Sequence, residues 1–162
     1  MLDAPHGRPT ANGDQAGRLV LFGATDPHHD GRRRRREQML AMRPVDPTED
    51  VDGRLVSRPS GVHWEYLLAD DSSLLVRARD FDDEAEARWD ADRLFGSPRP
   101  VRAAYVRHPD TGQLSWWLVR GSEPVFVTSR VWLPTQRGAT VRSAQRAVAV
   151  LKTRPPWGDY SG

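Results

Sequence analysis

The sequence predicts an α+β fold built from a tandem β-β-β-α repeat, and three observations predict it. The stretch Leu114 to Trp132, LSWWLVRGSEPVFVTSRVW, is two apolar runs around a Gly-Ser-Glu-Pro turn. It has an echo 51 residues earlier in His63 to Phe81, HWEYLLADDSSLLVRARDF. At that offset Tyr66 aligns with Trp117, Leu67 with Leu118, Leu68 with Val119, and Leu74-Leu75-Val76 with Val125-Phe126-Val127; Arg79 then falls on Arg130 and Phe81 on Trp132. Each hairpin is followed by apolar residues three and four apart, the period of an amphipathic helix. A fixed internal period sets the architecture before any single element is assigned.

The bulk of the chain narrows the class. With 162 residues, 38% hydrophobic and 28% charged, it suits one globular domain with some chain outside its core. The absence of cysteine removes disulfides, thiol catalysis and cysteine-ligated metals together. Of 24 Lys and Arg residues only Lys152 is lysine, a skew expected of G+C-rich codons, so arginine abundance alone does not indicate phosphate binding. The net charge of +2 gives no global pull towards nucleic acid. No apolar run approaches the roughly 20 residues of a membrane-spanning helix. With no apolar signal core either, a cytoplasmic protein with no membrane partner is expected.

Residues 1 to about 50 read as a disordered segment, rich in Pro, Gly, Asp and Arg and without sustained periodicity. Within it, Gly17 to Gly23 is a short apolar patch, and His28-His29-Asp30 precedes the run Arg32 to Arg36. Adjacent like charges repel and stay solvated, and such an arm suits a nucleic-acid backbone, with Arg33, Arg34 and Arg35 at its centre. Met39 and Met42 offer alternative starts for the native chain, which would then lack this arm.

The tandem-repeat domain is expected from 51 to 162, with repeat one over about 52–97 and repeat two over about 98–154. In the first repeat, Gly53 to Ser57 reads as a short strand before the turn residues Pro59, Ser60 and Gly61. Val62 to Ala69 and Ser73 to Arg79 form the hairpin around Asp70-Asp71-Ser72-Ser73, whose short polar side chains bond back to the backbone. Asp80, Asp82 and Asp83 suit the start of a helix from about Asp83 to Phe95, with Ala87, Ala91 and Leu94 on one face and Gly96 as its stop. In the second repeat, Val101 to Arg107 is a strand and Gly112 falls 51 residues after Gly61. Leu114 to Arg120 and Val125 to Trp132 make the hairpin. After an insertion from Pro134 to Ala139, Thr140 is the expected cap of a helix reaching Lys152, with Val141, Ala144, Val148 and Leu151 as its stripe. Trp157 and Tyr160 are placed to fold back onto the sheet. Charge divides the repeats: Pro59 to Ser97 carries 4 basic and 10 acidic residues, and Pro98 to Gly162 carries 10 basic and 3 acidic.

The step into each helix, Ala78-Arg79-Asp80-Phe81 and Ser129-Arg130-Val131-Trp132, carries a resemblance to the YegP-like family of small bacterial tandem-repeat proteins. Val127-Thr128-Ser129 matches the Thr-Ser ending of that family's third strand, while Val76-Arg77-Ala78 matches it in shape only. The resemblance spans about residues 52 to 152. It implies a single antiparallel sheet built by both repeats, with both helices on one face, and no established catalytic residues. The chain departs from the family in its turns, Asp-Asp-Ser-Ser and Gly-Ser-Glu-Pro where Asn-Gly is usual, and in the insertion after Trp132.

Chemistry is sparse. No Gly-rich phosphate loop precedes a helix and no Gly-x-Ser-x-Gly elbow occurs, so no cofactor is implied. His63-x-Glu65 puts an imidazole and a carboxylate on one face of a strand, where they could bind a metal or move a proton. The second repeat has Leu114 and Trp116 there, so the pair is not a repeated site. A non-enzymatic module is therefore expected, binding a protein partner or a second copy of itself through its sheet. The alternative is a nucleic-acid binder using the basic second repeat and the arginine run. Tyr66 or Trp117 on an uncovered sheet face, with Arg79, Arg130 and Trp132 at the strand ends, would make a stacking platform for bases.

Overall fold

Seven strands and three helices make up the computed structural model, which describes residues 17–58, 61–96 and 100–160. In chain order they are β1 (Arg18–Phe22), α1 (His29–Leu40), β2 (Arg43–Pro44), β3 (His63–Leu67), β4 (Ser73–Arg77), α2 (Glu84–Leu94), β5 (Arg102–Arg107), β6 (Leu114–Arg120), β7 (Glu123–Val127) and α3 (Arg137–Val150). The strands form one antiparallel sheet in the order β1-β3-β4-β7-β6-β5-β2. The two expected hairpins, β3–β4 and β6–β7, meet at its centre, where Val76 lies opposite Val127 and Arg77 opposite Phe126. The α+β class and the single sheet are as the residues predict.

The ladders correct the alignment between the hairpins. Val76 is opposite Glu65 as Val127 is opposite Trp117, and Leu75 is opposite Tyr66 as Phe126 is opposite Leu118. Along β4 and β7 the corresponding residues are 51 apart, but along β3 and β6 they are 52 apart. The two register irregularities, after Tyr66 and after Leu118, obey the same spacing of 52. A slip of one residue moves a side chain to the other face of a sheet. Tyr66 accordingly shares a core with Trp64, Trp116 and Leu118, while Trp117 packs on the opposite side with Val119.

Each face has its own core. On one, Trp64, Tyr66, Leu75, Trp116, Leu118 and Phe126 meet Ala87 and Ala91 of α2 and Ala144 and Ala147 of α3. Small residues on the helices let large rings fill the space between: Trp64 stands edge-on to Phe126 with centroids 5.4 Å apart. Burial of each such ring contributes about 1.5–3 kcal/mol. On the other face, Val76, Ala104, Val106, Trp117, Val119 and Val127 pack against Met39 and Leu40 of α1 and against Met42. The structure has three helices where two were expected: α2 and α3 contribute to the first core and α1 to the second.

The first half of the chain corrects two further expectations. Residues 1–16 lie outside the described residues, but from Gly17 onward the segment expected to be disordered supplies β1, α1 and β2. The short strand expected over Gly53 to Ser57 does not form, and the edge beside β3 is taken by β1, which runs antiparallel to it with Val20 opposite Glu65. Of 53–57 only Val56 joins the sheet, through one bridge to Arg79. The patch Gly17 to Gly23 was too short to stand out, and a strand of five residues becomes stable when its partner strand supplies the hydrogen bonds. The chain between β1 and β3 then crosses the sheet: α1 covers its second face and β2 reaches the far edge, beside β5. A chain starting at Met39 or Met42 lacks β1 and α1.

Both edges are partly covered, which limits unwanted strand pairing. The tail folds back onto β1, with Leu19 N–H donating to Pro156 O at 2.8 Å and Gly158 N–H to Leu19 O at 2.9 Å. At the other edge Val45 N–H donates to Tyr105 O at 2.8 Å. Helix α2 begins as expected, the Asp83 carboxylate accepting from Glu86 N–H at 2.8 Å, and it stops at Gly96, whose φ of 81° suits glycine. Helix α3 starts earlier than expected, at Arg137. Thr140 lies inside its first turn and donates its hydroxyl to Gln136 O at 3.0 Å, so it is not the cap. The turn residues Pro59 and Ser60 lie outside the described residues.

Candidate functional site

The arginine run is the docking side of α1. Helical geometry places residues four apart on one face, and Arg32 and Arg36 are such a pair. Arg32 donates to Glu65 at 2.6 Å and its guanidinium lies 3.8 Å from the Phe22 ring centroid and 4.6 Å from that of Tyr160. Arg36 is 1% exposed and pairs with Asp80 at 2.8 Å. Arg35 sits between faces and forks onto the Ser129 carbonyl at 3.0 and 2.5 Å. Arg33 donates to the Ser57 hydroxyl at 2.9 Å and pairs with Glu37 at 3.4 Å. Arg34 alone of the five is fully at the surface. The expected solvated arm is therefore a structured helix, and the groups that hold Arg32, Arg36 and Arg35 on the sheet side lie 33, 44 and 94 residues away, beyond the reach of local patterning.

His63 and Glu65 lie beneath it. They face each other at 2.7 Å, with 0% and 2% of their side chains exposed, and Ser73 donates to Glu65 at 2.5 Å. Burial by itself would raise the Glu65 pKa. The His63 hydrogen bond and charge, the Arg32 charge and the Ser73 hydroxyl outweigh it and hold the carboxyl at about 2. Burial, with the Arg36 charge, pushes His63 below its ordinary value despite Glu65. A charged Glu65 and a neutral His63 donating from Nε2 follow at neutral pH. Phe22 stacks on the imidazole at 5.6 Å. Covered in this way, the pair serves to hold β1, α1 and the sheet together.

The stacking platform does not form. Tyr66 and Trp117 are buried on opposite faces, and the Trp117 indole donates to Met39 O at 3.0 Å. The recurrence of Arg79/Phe81 and Arg130/Trp132 does have a shared geometry: each guanidinium lies over the ring two residues on, at 5.6 and 5.8 Å. In both places the ring fills the core and the arginine covers it.

What remains open is the α3 side of the second hairpin. Ala144, Ala147 and Leu151 bury one face of α3, which leaves Arg142 and Arg146, four apart, on its flank. Arg130 approaches from the connection before the helix. The three guanidinium groups, with Trp132, Ser143 and Ala139, line a cleft of about 210 Å³ whose floor is Leu68 and Leu74. Ser143 is held there by the Trp116 indole, which donates to its hydroxyl at 3.1 Å. Among the described residues no carboxylate lines the cleft, although the Asp70 carboxylate in the β3–β4 turn lies near enough to Arg130 for that charge to help lower its pKa. From Pro124 to Gly158 the chain carries Arg130, Arg137, Arg142, Arg146, Lys152 and Arg154 and no acidic residue. Charge counting found this asymmetry in the sequence; the convergence of 130, 142 and 146 needed the fold. Helix α2 is the opposite, exposing Asp82, Asp83, Glu84, Glu86 and Asp92 around its length, while its buried Asp90 accepts from Arg77 and the Trp64 indole, each at 2.8 Å.

Among the described residues no three His, Asp or Glu side chains converge as metal ligands, and no helix is long and apolar enough to cross a membrane. No family model, curated protein or solved structure matches the chain.

Proposed function

We propose that this protein is a non-enzymatic binding module that holds a polyanion, nucleic acid, in the cleft beside α3. The observation that carries the reading is the convergence of Arg130, Arg142 and Arg146 on one cleft without a lining carboxylate. Planar guanidinium groups present paired donors that match phosphate oxygens, and Trp132 and Ser143 add an apolar wall and a hydroxyl. With both faces of the sheet under helices, a partner meets helix flanks and loops rather than strand faces. The arginine run contributes at most Arg34.

The same reading treats the chain as two β-β-β-α units, β1-β3-β4-α2 and β5-β6-β7-α3, with α1 and β2 inserted in the first. Matching ladders about the β4–β7 pair and matching arginine–aromatic steps support it. We carry the YegP-like resemblance forward on that basis, as a proposal of kinship.

Fluorescence anisotropy with single- and double-stranded oligonucleotides tests the function. Three phosphate contacts give a log–log salt slope of about −2 to −3, so affinity falls roughly thirtyfold between 50 and 200 mM salt. Changing Arg130, Arg142 and Arg146 to Gln should abolish binding and that slope together. No binding at low salt, or unchanged binding by the triple variant, overturns the proposal. The exposed acids of α2 favour a second reading, in which the cleft receives α2 of another copy. Sedimentation velocity would then show a dimer that dissociates as salt rises, with or without oligonucleotide.

A further inference from the structure

The other flank of α3 borders a hollow of different character. Arg137, Thr140 and Val141 of α3, with Tyr105 of β5, Leu114 of β6 and Val45, line about 210 Å³ that opens to solvent. Its wall is chiefly aliphatic and aromatic, and Val45 at its mouth is 37% exposed. The Thr140 hydroxyl is taken up by Gln136 O at 3.0 Å. The Tyr105 hydroxyl and the Arg137 guanidinium, by contrast, make no hydrogen bond or ion pair among the described residues. Sites for drug-sized molecules are larger, about 300–1,000 Å³, so the hollow fits a single ring system.

Beyond the hollow the edge of the sheet is basic. Arg43 of β2 lies directly opposite Arg107 of β5, an arrangement of like charges that is unfavourable in an antiparallel pair. Both are exposed, and neither guanidinium has an ion pair or hydrogen bond among the described residues. Tyr105 belongs to the core that α3 closes, whereas Ala104 and Val106 belong to the other. Side chains alternate along a strand, so Arg107 stands on the Tyr105 side, and Arg43 opposite it shares that side. His108 follows, its Nδ1 accepting from Asp110 N–H at 3.1 Å and Thr111 N–H at 3.2 Å, which leaves its proton on Nε2. Asp110 is the one carboxylate that lines this edge with the two arginines.

From the apolar hollow with unpaired arginines on both sides of it, and resting on the function proposed above, we infer that the nucleic acid is single-stranded and that one of its bases lodges in the hollow against Tyr105. Arg137 holds the backbone on the side of the α3 cleft, and Arg43 with Arg107 holds it on the far side. Arg137 and Arg142 are five residues apart on α3, about 7.5 Å along its axis, which joins the hollow to the cleft. The strand thus runs from the cleft across the first turns of α3 to the β2–β5 edge. A base inside a duplex is stacked and paired and does not reach such a hollow; a base of a single strand turns aside and packs its ring on an aromatic wall.

Fluorescence anisotropy on the full chain tests this, with labelled oligothymidylate, its duplex with oligoadenylate, and an abasic strand of the same length. Oligothymidylate should bind roughly tenfold or more tighter than either of the others. Arg43→Gln with Arg107→Gln should flatten the log–log salt slope by about 1.4, the share of two phosphate contacts on a single strand. Val45→Glu sets a carboxylate at the mouth of the hollow and should weaken oligothymidylate about tenfold while leaving the duplex unchanged. Arg43 and Arg107 are exposed, so their double variant decides if Val45→Glu does not fold. Equal affinity for strand and duplex, or an unchanged slope in the double variant, overturns the inference. The proposed function still stands in that case if changing Arg130, Arg142 and Arg146 to Gln abolishes binding. Absence of binding to every oligonucleotide overturns both.

Discussion

The two faces of the sheet are closed by different physics. Under α2 and α3 the contact is rings against alanines, and the charged residues of those helices, the buried Asp90 apart, point away from the strands. Under α1 the apolar contribution of the helix is Met39 and Leu40 at its C-terminal end, and the rest is polar: Arg32 on Glu65, Arg36 on Asp80, Arg35 on the Ser129 carbonyl and the buried His29. An apolar contact is non-directional and tolerates exchange of similar shapes, whereas a buried ion pair depends on both partners being present. The chain thus contains one face whose helices can be recognised from their own pattern and one whose helix is held by residues elsewhere.

The largest effect should come from removing one charge on the α1 side. Asp80→Ala leaves Arg36 buried without its carboxylate and should cost about 3–5 kcal/mol in urea unfolding followed by tryptophan fluorescence. The double change Arg36→Met with Asp80→Leu should recover most of that loss, making the α1 face resemble the other. If the single and double variants were equally unstable, the charge pair would not be what distinguishes the faces.

Acid should separate the faces next. His63 has a lowered folded-state pKa, so between its ordinary value of 6.5 and that lower value the unfolded chain takes up a proton that the folded one refuses. Stability then declines as pH falls below 6.5. Glu65, lowered from 4.5 to about 2, adds stability that is fully present above 4.5 and is lost as pH falls from 4.5 to 2, amounting to roughly 3 kcal/mol. Stability measured from pH 7 to 3 should show both limbs, and His63→Phe should remove the upper one. The α1 amides should lose hydrogen-exchange protection before those of α3. The smallest effect belongs to Arg33→Ala, which breaks only exposed contacts to Glu37 and Ser57 and should change stability by about 0.5 kcal/mol or less.

Both hairpins, the α2 cap at Asp83 and the glycine stop at Gly96 were legible because each is local. Alternating apolar residues, a carboxylate before a free amide and a residue tolerant of positive φ all act within a few positions. Thr140 misled because a threonine before an apolar stripe resembles a cap, while the first turn from Arg137 needs no side-chain acceptor. The alignment of Tyr66 with Trp117 failed for a similar reason: hydrophobic class cannot register an irregularity that shifts a strand by one residue. Of the candidate site residues, Arg130 and Trp132 reached the open cleft. Arg79 remained with Phe81 at the equivalent step, Arg33 and Arg35 were drawn into α1 contacts, and Arg34 stayed at the surface.

By itself the sequence determined the α+β class, the two central hairpins, the two helices that follow them, and a basic second half, since these rest on local periodicity, turns and charge. Only the tertiary structure decided that residues 17–50 belong to the domain, because β1 needs β3 for its hydrogen bonds and α1 needs Glu65 and Asp80 for its arginines. It also decided which arginines face outward. A guanidinium that meets a carboxylate 44 residues away, as Arg36 does, becomes part of the core, whereas Arg142 on the flank of α3 stays exposed.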